Sequence, residues 1–232
     1  MAYVPLQNLI DKVDNFEVVR DQIGVILVNE IANQKALAIA AGKPDLIPWE
    51  VRVFLERSNP WEQYLTLDPL TATDAELGPI INVWFENANP DGKNSDIVER
   101  QATTGIFNID VYGYGLAAPD GGGHVPGDQD AAFKCQAAIR LARNILMAST
   151  NMNLQLNRRI VGKRWHRSTT MFQPNSEDPA VQKIVAGRLV LEVWFDEFSP
   201  QYEGEALELV HADINRALDG SLIAEVEVEY PL

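Results

Sequence analysis

Apolar side chains recur at three- and four-residue steps between Asp14 and Ala41, through Phe16, Val19, Ile23, Leu27 and Ile31. Arg20, Asp21, Asn29, Glu30 and Asn33 fall off that line, so the pattern predicts a long helix buried along one face. Asp14 with Glu17 three residues on has capping-box spacing, and Gly42 followed by Pro44 supplies a stop. Gly24 and the loss of register at Gln34 and Lys35 weaken the pattern toward the C-terminal half. Beyond Pro48 the period changes from helical to alternating. Val51, Val53 and Leu55 face one way and Glu50, Arg52, Phe54 and Glu56 the other, which predicts a strand ended by Asn59-Pro60.

Trp61 to Pro79, with Pro69, Gly78 and Pro79, reads as a connection holding at most one helical turn. Ile80 to Glu86 and Gly105 to Tyr114 read as two further strands. In the second, Phe107, Ile109 and Val111 alternate with Asn108, Asp110 and Tyr112. The polar stretch Asn87 to Asp96 between them carries the turn signal Asp91-Gly92, so the two strands are expected to pair antiparallel across an exposed loop. A glycine-rich break from Gly113 to Gly127 precedes a second long helix, capped by Asp128, with Phe133, Ala137, Leu141 and Ile145 as its apolar line to about Ser149. Gly187 to Phe195 alternates as another strand. Strict alternation from Ala224 to Tyr230 favours a C-terminal hairpin about Asp219-Gly220, with a helix from Glu205 to Leu218 as the rival reading. Val83-Trp-Phe-Glu86 and Val193-Trp-Phe-Asp196 look alike, as similar strand surfaces would.

The fold class expected from this order is α+β, a mainly antiparallel or mixed sheet flanked by two long helices. Residues 1–200 are expected to form the core domain and residues 201–232 an acidic extension, a hairpin packed on that core. At 232 residues, 46 % of them hydrophobic, the chain is large enough to bury one substantial core. With no basic-then-apolar leader and no run of about eighteen uncharged apolar residues, the expectation is a soluble, unexported protein without a membrane partner.

Charge changes the picture more than composition does. Nineteen Lys plus Arg against thirty-three Asp plus Glu leave −14, which disfavours broad binding to phosphate-bearing partners. Cys135 is the single cysteine and lies on the apolar second helix, the position of a small core residue; it excludes an intrachain disulfide and any cluster of thiolates. His124, His166 and His211 form no ligand pair, and no Gly-x-Ser-x-Gly elbow occurs. Asn87, Asn89, Asp91 and Gly92 have the opening spacing of a calcium loop, but the twelfth place is Val98 and Pro90 intrudes, so a solvated hairpin loop is the simpler reading. Asp120, Asp128 and Asp130 read as a loop entering a helix cap. Gly121-Gly122-Gly123-His124 and Tyr112-Gly-Tyr-Gly115 lack the Lys-Ser/Thr or strand-to-helix context of phosphate loops and read as permissive turns. No catalytic, metal or cofactor signature emerges, and the chain is expected not to be an enzyme.

What remains is segregated charge. Arg158, Arg159, Lys163, Arg164 and Arg167 are five of the nineteen cations and sit around Trp165 and His166. From Glu203 to Leu232 there are eight acids against Arg216 alone, and Glu225, Glu227 and Glu229 occupy alternate positions of the last strand. Complementary patches on one chain are what a head-to-tail ring uses. The candidate subunit or partner contacts are therefore Asn89, Asp91 and Lys93 of the polar loop, the five cations of 158–167, and Glu225, Glu227 and Glu229. An ordinary solvated strand or loop is the competing reading of the basic stretch.

The order of elements, with Gly105-Ile-Phe-Asn-Ile-Asp-Val-Tyr-Gly-Tyr-Gly115 and the late Arg188-Leu-Val-Leu-Glu-Val-Trp-Phe195 strand, resembles the tail-terminator and neck proteins of tailed bacteriophages across roughly Asp14 to Pro200. The resemblance implies a compact α/β subunit, a homo-oligomeric and commonly hexameric ring at the top of the tail tube, and assembly in the host cytoplasm into the virion neck. It further implies tail tube and sheath proteins and the head-side connector as partners, with DNA passing through the lumen without sequence-specific binding. The length and the acidic C-terminus depart from shorter members, leaving a collar or other tail or baseplate adaptor as one alternative. A soluble enzyme with an unrecognised carboxylate site is the other.

Overall fold

A computed structural model describes residues 13–68, 71–94, 100–120, 123–158, 160–174, 183–198, 209–215 and 222–229. The chain divides into two units, Val13–Glu197 and a second that includes the last two strands. The first unit is α+β, built on a five-stranded mixed sheet.

Helix α1 spans Asn15–Ala40. Glu17 accepts a hydrogen bond from the Asp14 backbone N–H at 3.1 Å, closing the first turn as its spacing predicts. At the other end Gly42 takes φ +65°, and the N–H groups of Gly42 and Lys43 bond to Ile39 and Ala38 O, the paired arrangement of a glycine-terminated helix. By length and mean hydropathy α1 meets the measure of a membrane-crossing helix, although Glu30 and Lys35 interrupt its apolar run. Its Val19, Ile23, Leu27 and Ile31 are nevertheless buried in the core of this unit. Gly24 lets β1 approach: a Cβ there would lie 2.8 Å from Leu55 Cδ2.

Strand β1 (Arg52–Leu55) pairs parallel with β2 (Ile80–Pro90), which pairs antiparallel with β3 (Arg100–Tyr114). Both hairpin strands run further than their apolar alternation predicts. Asn87–Pro90 belong to β2, because a register shift between Phe85 and Asn87 leaves Glu86 bulged and changes the parity of the residues beyond it. The expected polar loop is thus half strand. Between β1 and β2 lie two one-turn segments, Pro60–Tyr64 and the short helix α2 (Asp74–Leu77), where the sequence implied no more than one.

The glycine-rich break is also ordered differently. Gly113 lies inside β3, and a small hairpin, β4 (Ala118–Asp120) with β5 (Gly123–Val125), precedes helix α3 (Gly127–Met147). Pro126, not Asp128, is the cap residue of α3; Asp128 and Asp130 occupy its first turn, where the helix dipole favours acids. Gly113 and Gly115 are not turn residues. A Cβ on Gly113 would sit 2.3 Å from Ala131 O, and one on Gly115 1.9 Å from Gly127 O, so these glycines let α3 lie directly on β3. The buried stripe of α3 is Ala131, Cys135, Ala138, Ile139, Ala142, Ile145 and Leu146, and Phe133, expected inside, is 59 % exposed.

Strand β6 (Val161–Phe172), the stretch holding the basic cluster, pairs antiparallel with β7 (Ile184–Phe198). The sheet order is β1-β2-β3-β7-β6. Helices α1 and α3 contribute to one core with Ile81, Val83, Phe107, Ile109, Val111, Leu189, Leu191 and Val193. On the opposite face Trp61, Tyr64 and Leu77 pack over Ile80, Tyr112, Tyr114 and Ala186 at one end only. There the Tyr64 hydroxyl donates to Gly78 O at 2.7 Å, and burial raises its pKa.

In the second unit β8 (Leu209–Asn215) pairs antiparallel with β9 (Leu222–Glu229). Strand replaces the rival helix over 209–215. The turn expected at Asp219-Gly220 lies outside the described residues, as do the Gly121-Gly122 pair and positions 95–99.

Candidate interaction surface

Strand alternation sends odd positions of β3 and β7 toward the helices and even ones to the other side of the sheet. Beside Ile106 and Val190, the even set holds polar and aromatic side chains: Asn108, Asp110, Arg188, Glu192 and Trp194, joined by Trp84 from β2 and by Lys163, Trp165 and Arg167 from β6. Among the described residues, Trp61, Tyr64 and Leu77 pack over the other end of this face and not over these side chains.

Two ion pairs organise it. Arg188 Nε and one terminal nitrogen donate to both Asp110 oxygens at 2.7 and 2.9 Å, and Trp84 Nε1 adds a third donor at 2.9 Å. Arg167 holds Glu192 the same way, at 2.5 Å on each oxygen. In both pairs the carboxylate lies beneath and the guanidinium above. Asp110 and Glu192 side chains are 5 % and 9 % exposed, against 35 % and 56 % for Arg188 and Arg167. Hydrogen bonding to these carboxylates raises both arginine pKa values, so the cations stay charged throughout the ordinary range. Each cation also covers a tryptophan: Arg188 over Trp84 at 4.8 Å, Arg167 over Trp165 at 5.7 Å, and Lys163 over Trp194 at 5.4 Å. Trp165 and Trp194 meet edge to face at 5.4 Å. The surface offered outward is therefore built of carboxylate-paired guanidinium groups, Lys163 and tryptophan rings, with Asp110 and Glu192 beneath.

Beside it opens a cleft of about 410 Å³ lined by Trp84, Tyr112, Phe172, Arg188, Arg57 and Asn82 among others. Asn82 Nδ2 donates to Arg57 O at 2.8 Å, fixing the cleft wall. Under the face, Asn108 Nδ2 donates to Glu86 at 2.7 Å while its buried Oδ1 has no partner. Cys135 lies on the helix side, its thiol donating to Val111 O at 3.3 Å, and burial pushes its pKa up to about 12, which leaves it protonated and unreactive. Among the described residues no three His, Cys, Asp or Glu side chains form a metal-binding group.

The residues that charge pointed to scatter. Arg164 faces the helices and donates to Leu146 and Ala148 O at 2.5 and 2.7 Å, taking up carbonyls at the C-terminal end of α3. Its role is internal: Arg164→Met should cost about 1–2 kcal/mol in urea unfolding, from lost bonds to helix-end carbonyls. An unchanged unfolding midpoint would show that the carbonyls find water at no cost. Arg158 is exposed and makes no hydrogen bond or ion pair among the described residues, and Arg159 lies outside them. Asp91 accepts from Lys93 N–H at 2.9 Å and Asn94 Nδ2 at 2.6 Å, bonds that lower its pKa and shape the hairpin tip. Asn89 Nδ2 donates to Asn87 Oδ1 at 3.1 Å. Glu225, Glu227 and Glu229 stand opposite Asp213, His211 and Leu209 in the β8–β9 register. Of the charged positions that the sequence singles out, Lys163 and Arg167 join this face. Trp84, Asp110, Arg188 and Glu192 belong to strand patterns in the sequence but are not candidate contacts there; the shared Val-Trp-Phe pattern is the one signal, since it places Trp84 and Trp194 alike on this face.

Compared with models of known protein families and with curated proteins, the sequence matches none.

Proposed function

We propose that the chain is a structural, non-enzymatic subunit of a bacteriophage neck, a tail terminator that closes into a hexameric ring, ends the tail tube and joins it to the head-side connector. The observation that carries this reading is the order α1, β1, the β2–β3 hairpin, α3 and the β6–β7 hairpin around one mixed sheet, with one sheet face only partly covered by described residues. That order is what the resemblance implies of a ring subunit, and an incompletely covered face fits a surface meant for a neighbour. Exposed Val25, Val28, Leu37 and Ile39 on α1 add apolar area of the kind that contacts bury. The buried carboxylates of the face, Asp110 and Glu192, are each held by an arginine, an arrangement suited to fixing structure more than to moving protons. The ring assembles in the host cytoplasm and passes DNA through its lumen without reading sequence.

The purified chain is expected to form closed rings by negative-stain microscopy, at a mass several times 25.8 kDa by light scattering, and to label the head-proximal end of tail tubes. Monomer at every concentration, with no ring even beside tail tubes, overturns the reading. Labelling of the opposite tail end replaces terminator with baseplate adaptor.

A further inference from the structure

The cleft beside the Arg188–Asp110 pair carries hydrogen-bond donors that the protein does not use. Its lining belongs wholly to the Val13–Glu197 unit and includes Arg57, Trp61, Trp84, Tyr112, Phe172 and Arg188. Trp61 and Tyr112 are 8 % and 5 % exposed, yet neither the Trp61 indole N–H nor the Tyr112 hydroxyl donates a hydrogen bond among the described residues. Buried tryptophan and tyrosine ordinarily find partners for these groups. Their neighbours do so: the Tyr64 hydroxyl donates to Gly78 O at 2.7 Å and Trp84 Nε1 to Asp110 at 2.9 Å. Unlike Arg52 Nε and Asn108 Oδ1, the two unused donors are not sealed from solvent, and both residues line the cleft.

Most acceptors around the cleft are taken. Asp110 receives three donors, Asn82 Oδ1 accepts from Arg57 N–H at 3.1 Å, and Glu56 Oε1 accepts from Phe85 N–H at 2.9 Å, which leaves Glu56 Oε2 at one edge. Arg188 binds Asp110 through Nε and one terminal nitrogen, so its other terminal nitrogen is spare. The Arg57 guanidinium lies over Phe54 at 5.0 Å and has no carboxylate partner among the described residues. Charge in the cleft is balanced, Glu56 and Asp110 against Arg57 and Arg188. Its surplus is of donors.

We infer that this cleft binds a small organic oxyanion, a carboxylate or phosphate ester with an aromatic body, whose oxygens accept the unused hydrogens of Trp61, Tyr112 and Arg57. A carboxylate or phosphate only accepts, so it meets these donors without bringing a donor that itself needs a partner. The aromatic walls suit the body of such a ligand. The cleft volume of about 410 Å³ lies within the range of about 300–1,000 Å³ common to small-molecule sites. Burial raises the Tyr112 pKa, so its hydroxyl stays a donor throughout the ordinary range. The inference does not depend on the ring, since every lining residue comes from one unit of one chain.

The test titrates the full chain with phenyl phosphate, with benzoate and with neutral benzyl alcohol by isothermal titration calorimetry, and repeats it on Tyr112→Phe and Arg57→Gln. Wild type is expected to bind at least one anion at millimolar concentration or below, and benzyl alcohol about tenfold more weakly or not at all. The tighter anion assigns the site to phosphate esters or to carboxylates. Tyr112→Phe is expected to keep the wild-type melting temperature, because the hydroxyl has no internal partner, and to weaken the anion about tenfold. Arg57→Gln should weaken it by at least about tenfold. Failure of both anions to bind overturns the proposal. Benzyl alcohol binding as tightly as the anions would make the cleft an apolar pocket and overturn it equally. Wild-type affinity in both variants would place the anion elsewhere, and a lowered melting temperature in Tyr112→Phe would show the hydroxyl bonded within the protein; either result removes the proposal.

Discussion

Replacing Arg188 by methionine is expected to destabilise the Val13–Glu197 unit by about 3 kcal/mol, read as a lowered urea midpoint with unchanged slope. The reason lies in what would remain. Asp110 is almost fully enclosed and receives two of its three donors from Arg188. With the guanidinium gone it keeps only Trp84 Nε1 at 2.9 Å, an uncompensated carboxylate in a poorly solvated position. Arg188 also lies against Trp84 and Phe172, so its removal loosens two aromatic rings. Because its own side chain is 35 % exposed, water reaches part of the site and holds the loss below that of a fully buried pair. The double variant Asp110→Asn/Arg188→Met should recover part of the deficit, since the asparagine brings no charge to strand. Equal stability of the single and double variants would show that stacking, not the ion pair, accounts for Arg188.

Asp110 and Glu192 lie under their arginines, so the positive group of each pair stands outermost while the pair as a whole is close to neutral. Segregation by depth replaces the segregation by sequence position that the Arg158–Arg167 cluster implied. Arg164 belongs to the helix end, Arg167 has its own acid, and Lys163 rests on Trp194, so the cluster acts as three separate devices.

An element is legible in the sequence to the extent that its causes are local. Helix α1 declares itself through Glu17, Gly42 and a regular stripe, all within or beside its own length. Strand β6 does not, because register shifts at Val161/Lys163 and His166/Ser168 each change parity, so charged residues fall on both faces and no alternation survives. The stripe of α3 departs from the four-residue apolar line for a packing reason: alanines 131, 138 and 142, not Phe133, are buried, since the helix lies too close to the sheet for a large ring. Of the face, Asp110 and Arg188 are 78 residues apart and join only through the pairing of β3 with β7, which no local pattern announces.

The closeness of α3 to β3 sets the remaining large expectation. Gly115→Ala should leave the protein largely unfolded at ordinary temperature, or lower its stability by about 3 kcal/mol or more. The added Cβ would stand 1.9 Å from Gly127 O and 2.4 Å from Ala131 N, both backbone atoms of the first two turns of α3, so no side-chain rotation relieves the clash. Either the helix lifts from the strand, opening space around Ala131 and Cys135, or the end of β3 moves and strains its bond from Gly115 N–H to Lys183 O at 3.0 Å. Gly92→Ala is the matched control, because nothing lies within 4 Å of a Cβ there and its effect should stay within about 0.5 kcal/mol. Thermal melts of the two variants decide the matter: a Gly115→Ala protein that melts with wild type would mean that α3 and β3 do not lie in backbone contact.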